Sequence, residues 1–236
     1  MEFQALNHRI FTLDVLRTFA ISLMVVFHFI YDLKFFGYVN WDTPDGGGWR
    51  TFRQVILSSF FICLGASLHL SYARAINWNK FCKRLAQILA SALAVTLMSL
   101  LMVAEHYIYF GVLHFIAVAS LLCVNLAKHP RASLLIGVCI IAVYNAGWVS
   151  DFWPFTYVEH KLPSYTNDYV GLFPWLGMVC IGIWLASTAF FQEDPLKKLK
   201  TNTWMAWPGN HSLAIYLLHQ PALFAMFGLI AYLSNP

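Results

Sequence analysis

LDVLRTFAISLMVVFHFIYDL, residues 13–33, decides the fold of this chain. It is an apolar run of about the 20 residues needed to cross the hydrocarbon core of a bilayer. Yet it carries Asp14, Arg17, His28 and Asp32. Within a membrane helix each such residue costs at least ~2 kcal/mol unless it is paired or faces a polar cavity, so their presence in one run calls for a common reason. At roughly 100° per residue, His28 lies about 20° past three full turns from Arg17, and Asp32 follows His28 by one turn plus about 40°. The ionisable residues therefore share one face, with Arg17 and His28 about 16 Å apart along the axis.

The rest of the chain continues the pattern. Hydrophobic residues make up 59% of it and charged residues 11%, against about 25% charged in an average soluble domain, which excludes a soluble globular reading. Apolar runs bounded by charge or turn clusters fall at about 10–36, 50–73, 82–103, 109–127, 132–149, 169–191 and 208–233. The expected fold is all-α: a polytopic transmembrane helix bundle of about seven spans, forming one domain over 1–236. The five cysteines are scattered, form no CxxC pair and mostly lie inside apolar runs, so they read as small core hydrophobes.

Alternate connections differ in charge. Arg74, Lys80, Lys83 and Arg84 follow the second run, Lys128 and Arg131 the fourth, and Lys197, Lys198 and Lys200 the sixth. The opposite connections carry Asp42, Asp45, Glu105, Asp151, Glu159 and Asp168. The positive-inside rule then places the N-terminus in the cytoplasm and the C-terminus outside. The net charge of +4 follows from this topology and needs no nucleic-acid partner. Trp41, Trp49, Trp78, Trp148, Trp153 and Trp204 fall near the expected interfaces, where indole rings anchor.

The stripe suggests chemistry as well as topology. A neutral imidazole with a carboxylate at i+4 suits a general base, because the carboxylate fixes the tautomer and stabilises the imidazolium; His28 and Asp32 are the catalytic candidates. Arg17, beside Asp14, suits an anion arriving from the cytoplasm. Arg84 flanks the same face, and His114, after Gly111, is placed to line a shared cavity or to be a histidine satisfied between helices. Ser212, Tyr216 and His219 lie at i, i+4 and i+7 on the last run, hence on one face, suited to positioning an acceptor or an oxyanion, or to interhelical hydrogen bonds worth about 1 kcal/mol each. No HExxH, Cys/His cluster or repeated histidine spacing on two helices is present, so neither a metal nor haem is expected. A proton-coupled transporter would use the same residue types as a relay, so the stripe alone leaves enzyme and carrier open.

LDVLRTFAISLMVVFHF (13–29) resembles the opening helix of the transmembrane acyltransferases, in which ten residues separate an arginine and a histidine, here Arg17 and His28. SSFFICLGASLHLSYAR (58–74), YFGVLHFIAVASLL (109–122) and GNHSLAIYLLHQPAL (209–223) extend the likeness in the same order. The nearest resemblance is to bacterial relatives of heparan-alpha-glucosaminide N-acetyltransferase, and the closing segment is also similar to polysaccharide O-acyltransferases. The resemblance implies an integral protein of the bacterial cytoplasmic (inner) membrane. It implies acetyl-CoA or another acyl-CoA as cytoplasmic co-substrate, for which Asp14, Arg17, Arg84 and His114 are the binding candidates. The acceptor would be a hydroxyl or amine on a sugar or glycan, with the bilayer as surroundings and a homo-oligomer left open. In the eukaryotic lysosomal enzyme an asparagine stands at the place of His28 and the catalytic histidine follows in a luminal segment. Here no histidine lies between Phe29 and Leu68, so heparan specificity does not carry over, and His28 matches the histidine of the polysaccharide O-acyltransferases.

Overall fold

The computed structural model describes residues 10–102, 104–163, 166, 168–199 and 203–234. Among these residues the regular elements are all helical: α1 (Phe11–Phe35), α2 (Gly47–Tyr72), α3 (Trp78–Met102), α4 (Val112–Cys123), α5 (Pro130–Asn145), α6 (Trp175–Ala186), α7 (Ala189–Glu193), α8 (Trp207–Asn210) and α9 (Ser212–Ser234). Each of the seven apolar runs supplies a helix.

Their lengths differ from the expectation of about seven spans. α1, α2, α3 and α9 are long and apolar enough to cross a membrane, and the α6–α7 pair, bent by 58°, makes a fifth if it counts as one span. α4 and α5 have 12 and 16 residues, about 18 and 24 Å of helix, short of a hydrocarbon core about 30 Å thick. Gly111 and the turn before it delay the start of α4, and a 3-10 turn at Asn125–Lys128 ahead of Pro130 separates α4 from α5.

The core is the crossing of α2 and α6, with Phe61, Val179 and Ile183 fully buried. The small residues of the second run permit this approach. A Cβ on Gly65 would overlap the Val179 carbonyl, and one on Gly182 would overlap the Ile62 carbonyl. α4 closes one side through Phe115, whose ring lies 4.2 Å from that of Phe61. The periphery is apolar instead of polar: α3 turns Leu89, Leu93, Leu97 and Leu101 outward, Leu101 being 85% exposed. That inversion is what lipid contact requires.

α1 is fixed at its start from the far end of the chain. The Asp194 carboxylate accepts the backbone N–H groups of Phe11 (3.0 Å) and Thr12 (2.8 Å) and the Thr12 hydroxyl (2.6 Å). A carboxylate there satisfies N–H groups that have no partner inside the helix and complements the helix dipole. Close by, Gly209 of α8 donates to Thr18 Oγ1 (2.9 Å), which donates to the Asp14 carbonyl (3.1 Å). Gly209 has no room for a side chain, since a Cβ would strike that carbonyl.

The close α2–α6 crossing gives a direct check. Gly182→Val is expected to lower the melting temperature of the purified protein through overpacking worth roughly 1–3 kcal/mol. Gly228→Ala, on a glycine with open space around it, should leave the melting temperature nearly unchanged.

Candidate active site

The stripe on α1 divides into two clusters. At the start of the helix Arg17 donates through Nη1 to Asp14 Oδ1 (3.1 Å) and through Nη2 to Ser67 Oγ of α2 (2.5 Å). Ser67 in turn donates to the Cys63 carbonyl. Asp14 is buried, whereas the Arg17 side chain keeps 23% exposure. Ser67 also lines a narrow pocket with Tyr72, Arg84 and Ser120 among leucine and phenylalanine side chains. Of the two cations expected to meet an anionic ligand, Arg17 thus bonds the serine hydroxyl and Arg84 lines the same pocket.

The same end of the bundle gathers the basic connections. His69 Nδ1 bonds the Ala127 carbonyl (2.8 Å), joining the end of α2 to the turn before α5. Tyr72 and Phe81 meet edge to face across the α2–α3 turn, and Asp194 holds the segment after α6 against α1. Arg74, Lys80, Lys83, Arg84, Lys128, Arg131, Lys197 and Lys198 therefore cluster on the side where α1 begins.

About 16 Å further along α1, His28 and Asp32 meet α9. The His28 ring packs edge to face on His219, with ring centroids 4.8 Å apart, and on Phe27 behind it. Asp32 is fully buried. Its Oδ1 accepts from Gln220 Nε2 (2.9 Å) and its Oδ2 has no hydrogen-bond partner. The hydrogen bond of Asp32 thus goes to an amide donor on α9, the helix that His28 also meets. His219 gives its Nδ1 proton to the Tyr216 carbonyl (2.7 Å), because a carbonyl only accepts. In the neutral ring Nε2 is then the basic atom, and it has no partner.

The remaining candidates separate from this pair. Ser212 opens α9, about 10 Å along the axis from His219. Tyr216 donates its hydroxyl to Asp168 Oδ2 (3.0 Å), which also takes the Val112 N–H at the start of α4 (3.4 Å). Tyr216 thereby ties α9 to the loop before α6, and its one proton is not offered to an oxyanion. His114 is satisfied on both nitrogens: Nδ1 accepts the Gly111 N–H (3.2 Å), and Nε2 meets Thr96 Oγ1 (3.2 Å), whose own proton goes to the Ile108 carbonyl. It anchors the turn into α4, about 9 Å of helix from Ser120 in the basic-end pocket.

Three participants were not assigned to the site from sequence. Ser67 reads as a small packing residue, and Asp168 as one acid among several in an outer loop. Gln220 carries a usable signal, since 212, 216 and 220 fall at successive i+4 positions of the last run. What they bond to is set by tertiary structure.

Burial raises the Asp168 carboxyl above its ordinary value, against the opposing hydrogen bonds from Tyr216 and Val112 and the charge of Arg53. The folded protein then binds the proton more tightly than the unfolded chain, so this group's contribution to stability is present at low pH and is lost as pH rises above about 4. Asp168→Asn is expected to flatten that part of the melting temperature against pH, while an unchanged slope would assign the dependence to another group.

A family model described as heparan-alpha-glucosaminide N-acetyltransferase, catalytic, matches residues 9–221. The match begins just before α1 and ends one residue past Gln220, so it takes in both clusters of the stripe. Comparison with curated proteins and with solved structures gives no match. With most of its length, and the whole of the polar stripe, inside that match, the chain belongs to the family of the heparan-alpha-glucosaminide N-acetyltransferase catalytic domain.

Proposed function

We propose that the protein is an integral-membrane acyltransferase, specifically an acetyltransferase, which moves an acyl group from acyl-CoA to a hydroxyl or amine on a sugar or glycan-type acceptor. The observation that carries this reading is the polar stripe of α1 in a member of this family, with guanidinium groups at one end and paired imidazoles at the other. Phosphate groups of the co-substrate would meet Arg17 and Arg84, since arginine suits phosphate by geometry and charge. The pantetheine arm would run along α1 to bring the thioester to His28.

There His28 takes the proton of the attacking hydroxyl or amine as a new C–O or C–N bond forms at the acyl carbon. The C–S bond then breaks, and the CoA thiolate leaves and collects the proton. His219, whose tautomer is fixed by the Tyr216 carbonyl, supplies a second basic nitrogen beside His28. Asp14 holds Arg17 in place and compensates its charge while no ligand is bound.

The gathering of basic residues where α1 begins supports an orientation with that end in the cytoplasm. In this reading the donor enters from the cytoplasm and the acceptor meets the imidazoles from the other side, in the bacterial inner membrane. The family match favours this chemistry over proton-coupled transport.

His28→Ala is expected to lower acyl transfer by ~10²–10⁴-fold while keeping acetyl-CoA binding, and Arg17→Ala to weaken acetyl-CoA binding by ~10–100-fold. Thermal stabilisation of the purified protein by acetyl-CoA but not by free acetate, followed by a transfer assay on both variants, checks these outcomes. Full transfer by His28→Ala would overturn the assignment, and solute flux in proteoliposomes lacking CoA would favour the carrier.

A further inference from the structure

α1 and α9 meet through two polar rungs. His28 lies against His219, and one turn further along α1 Asp32 bonds Gln220. These rungs leave three buried atoms without a hydrogen-bond partner: Asp32 Oδ2, Gln220 Oε1 and His219 Nε2. Gln220 Oε1 accepts by nature, Asp32 Oδ2 accepts as a carboxylate, and His219 Nε2 accepts because the ring's proton is already given to the Tyr216 carbonyl. All three need a donor. Leaving each unmet in an apolar seam costs free energy that an ordinary helix contact would avoid with leucine.

A structural carboxylate–amide contact would account for one hydrogen bond and leave no reason for three orphan acceptors, one on α1 and two on α9. A ligand group that brings several O–H or N–H donors accounts for all of them. We propose that the seam between α1 and α9, formed by Asp32, Gln220 and His219, is the acceptor subsite, taking a hydroxyl- or ammonium-bearing group such as one edge of a sugar. This rests on the acyltransferase reading and adds to it where the acceptor is held: beside His28, on the side away from Arg17.

α9 lies on the periphery with Leu218, Leu229 and Tyr232 exposed, and Pro221 directly follows Gln220 inside the helix. Proline gives no N–H to the carbonyl four residues back and loosens the helix at that turn. That places a loosened turn directly beside His219 and Gln220, outside the α2–α6 core.

The test uses the full-length protein in detergent or nanodiscs, with glucosamine and glucose as soluble probes and acetyl-CoA as the internal control. Asp32→Asn keeps an acceptor for Gln220 and exchanges the orphan acceptor for a donor; Gln220→Leu removes the amide. Both are expected to weaken stabilisation by the sugar probe, or raise its KM in transfer, by ~10-fold or more, with acetyl-CoA affinity within about twofold of wild type, which also certifies folding. Response to glucosamine alone would specify an ammonium, and response to both sugars hydroxyls. Wild-type affinity for the sugars in both variants, or no response of the wild type to either sugar while acetyl-CoA still binds, would overturn the subsite. Absence of acetyl-CoA binding by the wild type would instead overturn the acyltransferase reading.

Discussion

A lipid-embedded helix that carries polar groups must have each of them satisfied by the protein, because hydrocarbon offers no hydrogen bonds. α1 carries Asp14, Arg17, Thr18, His28 and Asp32 along its length, and distant parts of the chain meet that demand. Asp194 meets its start, Ser67 and Asp14 share Arg17, α8 reaches Thr18, and Gln220 meets Asp32. Segments nearly two hundred residues apart are drawn to one helix by these contacts. α9, on the periphery, is held by the polar face of α1, by its own phenylalanines against those of α1, and by the Tyr216–Asp168 hydrogen bond.

Much of this was legible in the sequence, and the part that was not has a physical cause. The run at 13–33 shows both helix and stripe because helical periodicity and apolar length are local properties. The small residues around Gly65 permit a close crossing, but which helix crosses there is set by tertiary structure. Lengths misled at runs 109–127 and 132–149, where hydropathy continues past both ends of α4 and past the end of α5. Pairing was least legible. Nothing local shows that Asp32 bonds Gln220, or that His114 spends both nitrogens on Gly111 and Thr96. Such choices depend on which helix lies alongside.

The two ends of the stripe have opposite characters, and the proposed reaction uses both. One end is cationic, partly exposed and beside a pocket, as a charged co-substrate requires. The other holds basic nitrogens and orphan acceptors in a seam, where a proton can be taken and a donor-rich group held. About 16 Å of helix separates Arg17 from His28, a span that an extended arm can cover. Family membership identifies the type of domain, and the proposed reaction takes its places for donor and acceptor from this division.

The most direct measurement is a cryo-EM or crystal structure of the full chain with acetyl-CoA bound. The expected result is ligand density that begins between Arg17 and Arg84, follows α1 and brings the thioester into contact with His28. Density for acetyl-CoA at another face of the bundle, with its thioester out of reach of both His28 and His219, would contradict the account.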